Sequence, residues 1–244
     1  MRVIRAFRLF AAAGLICLSA MSWAQSPFSI QPATSDDSKP LPAGLQQLLD
    51  PNGTRLLASS NGLDTSVIEV WWRSSVPVAS KASAAKDVLF GNLQEGTLIG
   101  VVRFTPEASE DYREDFRDQK LRPGFYTMRY ARRPEDREHS NVSPYRDFLV
   151  LSPLNLDKDY TRVLPMDELL NRSRIASRGR HPAVLSLVAV NPVYKTFPSI
   201  QVDDSGRCVL QVKLHVENPA QPAKKNDVPL AIVLVTPINE EAGS

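Results

Sequence analysis

The residues best suited to chemistry are His139 and Asp147, which flank Tyr145 and Arg146 in a polar part of the chain. A loop imidazole that faces a carboxylate at the start of the next strand can form the orienting and proton-accepting half of a catalytic set. No nucleophile accompanies this pair. In the alternative interpretation, Arg146 and Asp147 tie down a long loop through charge-assisted hydrogen bonds and His139 is solvated. The sequence leaves open both a hydrolase-type enzyme and a purely structural role.

Metal and cofactor sites have little support in the sequence. The three histidines, His139, His181 and His215, each lack a second ligand at the close spacing typical of zinc and copper sites. The stretch 105–122 is rich in carboxylates but lacks the glycine of a calcium loop, and its mixed charges favour a solvated connection. The chain also lacks a nucleophile elbow, a P-loop and a dinucleotide fingerprint. We therefore expect no cofactor and no metal, and keep a histidine-centred metal-binding protein as an alternative.

Residues 1–24 predict a cleaved export signal. Arg2, Arg5 and Arg8 precede a short apolar run, and Ser22–Ala24 is typical of a cleavage site. The run is shorter than the roughly 20 apolar residues that span a bilayer, so an uncleaved anchor is the less favoured alternative. We expect an exported protein, periplasmic or extracellular, with no membrane span after cleavage.

Cleavage also changes the charge and the cysteine content. The chain has 29 Lys and Arg against 27 Asp and Glu, so losing three arginines leaves 26 against 27 and a net charge of −1. This balance gives no support for a nucleic-acid partner. Cys208 remains as the only cysteine, which excludes an intrachain disulfide. It lies on the apolar face of a predicted strand, where a buried inert thiol is more usual than a reactive one.

Period-two alternation of apolar residues predicts an all-β protein. The clearest case runs from Cys208 to Val216, where every second residue would face a core. Gly100, inside another such stretch, predicts a bulge or a close backbone approach. The predicted strands are 65–73, 97–104, 125–130, 145–151, 183–190, 198–202, 207–216 and 228–235.

These strands favour an antiparallel β-sandwich, immunoglobulin-like or jelly-roll-like, of about eight strands with one short peripheral helix. The helix is predicted from Pro165 to Ser177, where acidic residues come first, arginines come last and Gly179 follows. We expect it to pack on the sheet edge. We also expect a flexible lead-in over 25–42 and a single domain over 43–240.

Aromatic residues near loops and strand ends are the candidates for a binding surface. Trp71 shares a strand face with two charged residues, so it is either a packing residue under a loop or a binding platform. Within 125–130, Tyr126 and Tyr130 lie on the face opposite Thr127 and Arg129 by alternation. The proposed contact residues, for an unknown protein or carbohydrate ligand, are Trp71, Tyr126, Tyr130, Tyr145 and Arg146.

The segments Arg122–Tyr130 and Ser143–Leu151 resemble a group of bacterial secreted proteins of unassigned activity, and His181–Leu187 fits the same pattern. The resemblance covers most of residues 65–236. It implies an exported β-rich domain and brings no catalytic residues with it. We expect a non-catalytic protein of the periplasm or the cell exterior that acts in binding or in envelope structure.

Overall fold

The computed structural model describes residues 26–34, 36–60, 62–135, 143–217 and 225–236, so the predicted signal segment and His139 lie outside the description. Strands make up 43% and helices 10%, which confirms a mostly β protein. None of the helices in this part of the chain has the length and apolarity needed to cross a membrane. The strands are β1 Phe28–Ala33, β2 Gly53–Ser60, β3 Leu63–Trp72, β4 Val76–Pro77, β5 Leu98–Phe104, β6 Gly124–Arg132, β7 Asp147–Pro153, β8 Val184–Val188, β9 Ser199–Val202, β10 Cys208–Glu217 and β11 Lys225–Val235; the α-helices are α1 Ala43–Gln46 and α2 Met166–Ser177.

The described strands form one sheet that is nearly closed into a barrel. The strand order is β1-β2-β3-β5-β6-β7-β8-β11-β10-β4, and β9 pairs with β10. Neighbours are antiparallel except for the short parallel pair of β10 with β4. Because β1 also contacts β9, the two edges of the sheet approach one another. The predicted sandwich of two facing sheets is not confirmed, and the described strands number eleven rather than about eight.

The predicted flexible lead-in contains a strand, which corrects that expectation. Within it, β1 pairs with β2 from Phe28 opposite Ala58 to Ala33 opposite Gly53. Sequence reasoning missed β2 because a register shift between Leu56 and its neighbour Leu57 interrupts the two-residue period. It missed β1 because an edge strand with polar outward side chains lacks a continuous apolar pattern.

The main hydrophobic core lies inside the curled sheet. In β10 the predicted core-facing residues from Cys208 to Val216 are all buried, which confirms the alternation. The opposite face of β10 is not all solvent, because Val209 and Gln211 are buried too. Burial raises the pKa of the Cys208 thiol, so the thiolate is disfavoured, as expected for an inert core cysteine.

Helix α2 begins directly after Pro165 and has Asp167 and Glu168 in its first turn, as predicted. It lies on the outer face of the sheet. Leu169 is fully buried, and the Ser173 hydroxyl donates a hydrogen bond to the carbonyl of Ala183 at 3.0 Å. The helix packs on β7, a central strand, so the expected position at the sheet edge is wrong. Its left-handed C-terminal residue is Arg178, with φ of 54°, rather than Gly179.

The structure also tests the predictions for segments 183–190 and 105–122. The predicted strand 183–190 is central as expected, since β8 pairs with both β7 and β11. The charged stretch 105–122 is only partly solvated, because Asp115 is fully buried and Leu121 nearly so. It therefore belongs to the packed structure and is not a free excursion.

Gly100 allows β3 and β5 to approach closely, and replacing it should destabilise the protein. A Cβ atom built there would lie 2.4 Å from the carbonyl oxygen of Trp71 and 3.1 Å from the Cε methyl of Met128. We expect Gly100→Ala to lower the free energy of unfolding by about 2 kcal/mol or more in urea titrations, because backbone must move. The control is Gly44→Ala, where nothing lies within 4 Å; it should be neutral or slightly stabilising. Equal effects of the two variants would contradict the packing described for β5.

Candidate functional site

Asp147, the carboxylate of the predicted catalytic pair, is fully buried at the start of β7. Its Oδ2 accepts a hydrogen bond from the backbone N–H of Leu89 at 2.7 Å. Its Oδ1 accepts from the backbone N–H of Phe90 at 3.1 Å and from the Tyr130 hydroxyl at 2.6 Å. Three donors thus fix this carboxylate against the connection between β4 and β5. The partner, His139, lies outside the described residues, so the catalytic pair stays a prediction.

Arg146 ties strand ends together. Its Nε donates to the carbonyl of Arg133 at 2.9 Å, and its Nη1 donates to Oε2 of Glu135 at 3.2 Å. Its backbone N–H donates to the carbonyl of Asp87 at 2.9 Å. The adjacent Tyr145 is half-buried. These contacts match the structural alternative given for Arg146 and Asp147 above.

Three of the predicted contact residues are core residues instead, which corrects that prediction. Trp71 and Tyr130 are fully buried and Tyr126 is 5% exposed. Trp71 lies in a cluster with Leu45 of α1 and packs against Phe125, with ring centroids 6.2 Å apart. The outer face of β3 is therefore covered by the N-terminal segment, whose packing role sequence reasoning did not foresee.

A buried ion pair joins β6 to the connection that precedes α2. Arg129 and Asp157 are both fully buried, with Nε to Oδ2 at 2.7 Å and Nη2 to Oδ1 at 2.9 Å. The remaining guanidinium hydrogens point to the carbonyl oxygens of Gly96, Asp159 and Arg162, at 2.7 to 2.8 Å. Because every guanidinium N–H has an acceptor, this buried charge is fully compensated.

Asp157 also receives two further donors. The Thr127 hydroxyl donates to its Oδ2 at 2.6 Å, and Nη1 of Arg172 donates to its Oδ1 at 3.1 Å. Arg172 lies on α2, so one carboxylate connects the sheet, the 154–165 connection and the helix. The position of α2 over the sheet follows from this network together with the apolar contacts of Leu169.

A cavity of about 230 Å³ lies between α2 and the outer face of β6, β7 and β8, and we call it the α2 cavity. Its floor is apolar. Ala131 lies opposite Phe148 in the β6–β7 pairing, and Val150 lies opposite Val184 in the β7–β8 pairing. These four side chains point outward because they alternate with core-facing neighbours.

The walls of the α2 cavity come from two sides. Met166, Leu170 and Arg174 follow at four-residue spacing along one face of α2 and line one side. Phe116 lines the other side and meets Phe148 edge-to-face at a centroid distance of 5.3 Å. The small side chain of Ala131 leaves the space between these walls open.

Asp115 fixes the Phe116 wall to the sheet. Its carboxylate accepts hydrogen bonds from the backbone N–H groups of Arg117 at 2.9 Å, Gln119 at 3.0 Å and Val184 at 3.2 Å. Burial raises the pKa of Asp115, and the N–H donors act in the opposite direction by favouring the charged form. The carboxylate therefore has a structural role beside the cavity.

The rim of the α2 cavity is strongly cationic. Among its described lining residues are five arginines and His181, and none of these described residues is an Asp or a Glu. Arg132 pairs with Glu95 at 2.7 Å, whereas the side chains of Arg117 and Arg180 make no hydrogen bond or ion pair within the described ranges. The arginines of the rim are Arg117, Arg132, Arg133, Arg174 and Arg180.

A second, broader groove of about 830 Å³ lies at the start of β6. Tyr126 and its neighbour Phe125 line it, together with Tyr160. The Tyr126 hydroxyl donates to the carbonyl of Arg122 at 2.9 Å, so its polar end is engaged within the protein. This groove is wide and shallow, which makes the α2 cavity the better-enclosed candidate.

Sequence reasoning missed the α2 cavity for a physical reason. It placed Arg129 on the strand face opposite Tyr126 and Tyr130 but could not find its partner, Asp157, which lies 28 positions further along the chain. The available signal was the unusual density of arginine in 172–180, which was interpreted only as a complement to the helix dipole. Convergence of those arginines with Arg117 and Arg132 depends on the sheet topology, which is not local information.

Comparisons with known proteins add no assignment. No protein-family model, no curated protein and no solved structure matches this chain. Within the described ranges, no group of three His, Cys, Asp or Glu side chains is placed to hold a metal ion. His215 has Nδ1 at 3.2 Å from Asp227, and His181 lies on the rim of the α2 cavity. The histidine-centred metal alternative stays a prediction.

Breaking the buried ion pair should cost more stability than breaking an exposed one. We expect Asp157→Asn to lower the free energy of unfolding by about 3–5 kcal/mol, because it leaves the Arg129 charge buried without a counter-ion. The matched control is Asp36→Asn, whose pair with Lys39 at 3.1 Å is exposed, and it should change stability by about 0–1 kcal/mol. Denaturant titration of both variants measures the difference. Similar small changes in the two would contradict a structural role for Asp157.

Removing the Tyr130 hydroxyl should lower stability in a pH-dependent way. Burial, followed by the hydrogen bond to Asp147, raises the pKa of Tyr130 above its usual value. The tyrosine thus stabilises the folded protein fully below about pH 10, and this contribution is lost as pH rises and the unfolded chain ionises first. Tyr130→Phe should cost about 1–3 kcal/mol at neutral pH, and its deficit should shrink by up to about 1.4 kcal/mol per pH unit above about pH 10.

The control for this prediction is Tyr145→Phe, since the Tyr145 hydroxyl makes no hydrogen bond within the described part of the chain. It should change the free energy of unfolding at neutral pH by less than about 0.5 kcal/mol. A deficit of Tyr130→Phe that stays constant from about pH 9 to about pH 11 would contradict the buried hydrogen bond.

Proposed function

We propose that the protein is an exported, non-catalytic binding protein that holds a small ligand in the α2 cavity. The observation that carries the proposal is the cavity itself: an apolar floor on a rigid sheet, a helix as one wall and polar groups gathered at the rim. Binding sites for small molecules combine enclosed apolar surface with a few directed polar groups. At about 230 Å³ the cavity is smaller than the roughly 300–1,000 Å³ usual for drug-sized ligands, which favours a small ligand.

The chemistry of the lining supports binding over catalysis. Arginine stays protonated at physiological pH, so the guanidinium groups of the rim recognise charge and do not accept protons. Among the described residues, three aspartates are fully buried, and each accepts hydrogen bonds from structural donors: Asp115, Asp147 and Asp157. These three carboxylates are therefore committed to holding the fold.

The location in the cell rests on the sequence. The apolar segment with its arginines and small-residue cleavage site at 1–24 favours export to the periplasm or the cell exterior. The resemblance to bacterial secreted proteins supports the same compartment. The sequence analysis expects an unknown protein or carbohydrate ligand at the exposed loops. The α2 cavity favours a small molecule instead.

The test uses three probes that share one alkyl chain: octanoate, 1-octanol and octylamine. Isothermal titration calorimetry with the mature chain should show saturable binding of at least one of them with a single site. Ala131→Leu fills the space above the floor and should abolish this binding without lowering the free energy of unfolding, because filling a cavity adds apolar contacts.

The matched control is Ala43→Leu at the exposed start of α1, far from the cavity in the chain, which should bind as the unmodified protein does. The proposal is wrong if none of the three probes binds. It is also wrong if Ala131→Leu and Ala43→Leu bind the probes equally well, since the site would then lie elsewhere.

A further inference from the structure

We infer that the ligand of the α2 cavity is an amphiphilic anion: a carboxylate or phosphate monoester head group on a small apolar body. This inference rests on the proposed function and specifies the ligand class for the same site. The rim would take the head group and the floor would take the apolar body.

The charge of the rim is a local feature and does not reflect composition. The whole chain carries a formal net charge of only +2, yet the described residues that line the cavity include five arginines and no Asp or Glu. Like charges so gathered repel one another unless an anion compensates them. Two other arginines of the described structure, Arg129 and Arg55, are paired with the carboxylates of Asp157 and Glu69.

Two of these arginines have no side-chain partner among the residues that the structure describes. Arg132 is neutralised by Glu95, and Arg174 donates to the carbonyl of Arg180 at 3.0 Å and to Asn171 at 2.9 Å. The guanidinium groups of Arg117 and Arg180 have no partner within the described ranges. The planar guanidinium fork matches the oxygens of carboxylate and phosphate groups, which makes such anions its preferred ligands.

The apolar floor of the α2 cavity favours a ligand that has an apolar body in addition to its charged head group. Phe148 and Val150 of β7 lie beneath the cavity, and Leu170 of α2 lies beside it. A free inorganic anion would leave this apolar surface unused, whereas an alkyl or aromatic body would cover it and gain hydrophobic stabilisation. The arrangement of floor and rim thus favours a molecule with both parts.

The experiment compares affinities of the mature protein for octanoate, octyl phosphate, 1-octanol, octylamine and inorganic phosphate by isothermal titration calorimetry. Octanoate or octyl phosphate should bind at least about tenfold more tightly than 1-octanol, the size expected for one charge-assisted hydrogen bond. Octylamine and inorganic phosphate should bind more weakly than both octanoate and octyl phosphate. Which of the two anions is tighter separates a carboxylate from a phosphate head group.

Variants assign the head-group site. Arg117→Met and Arg180→Met should each weaken octanoate or octyl phosphate binding by about tenfold while leaving 1-octanol affinity within about twofold, because only the charged contact is lost. The matched control is Arg178→Met, an exposed arginine close by in the chain that lines the other groove and should not alter either affinity.

Each outcome bears on the inference. Tighter binding of 1-octanol or octylamine than of both anions, with loss in Ala131→Leu, would overturn the anion inference and leave the binding function standing. If inorganic phosphate binds as tightly as octyl phosphate, the inference that the ligand needs an apolar body is wrong. If no probe binds, both the inference and the proposed function fail.

Discussion

The ion pair between Arg129 and Asp157 is the contact on which the candidate site depends. Both groups are fully buried, and such a pair is stable only when the remaining hydrogen-bonding capacity is satisfied. Here backbone carbonyls of the 159–162 segment and of Gly96 complete the guanidinium shell, and Arg172 of α2 reaches the same carboxylate. The connection between β7 and α2 is thereby fixed to the sheet, and the helix that forms one wall of the α2 cavity starts from a defined position.

The two faces of the sheet have different tasks. The inner face forms the main core, with residues from β5, β6 and β10 such as Phe104, Met128 and Leu210 in one cluster. The outer face is covered by the N-terminal segment over β3 and by α2 over β7, each with its own apolar cluster. Between α2 and the Phe116 wall the covering is incomplete, and this gap is the α2 cavity. A site on the outer face of a rigid sheet can bind a ligand without disturbing the core.

The sequence predicted the strands with strict alternation and the helix with ordered charges, because these patterns are local. Cys208 to Val216 and Met166 to Ser177 are examples. It did not predict β1, β2 or the curling of one sheet, since edge strands and register shifts weaken the period and closure depends on pairing between distant strands. The predicted aromatic contact surface is wrong for a related reason. Trp71 is covered by α1, and the alternation within β3 cannot reveal this contact. The sequence also could not predict that Arg117, Arg132 and Arg180 lie close together, because this depends on the sheet topology.

A crystal structure of the protein grown with octanoate tests the central claim most directly. The account predicts the alkyl chain over Ala131 and Phe148 beneath α2, with the carboxylate within hydrogen-bonding distance of Arg117 or Arg180. Octanoate bound instead in the groove beside Tyr126 and Tyr160, or beneath α2 with its carboxylate turned away from every arginine of the rim, would contradict it.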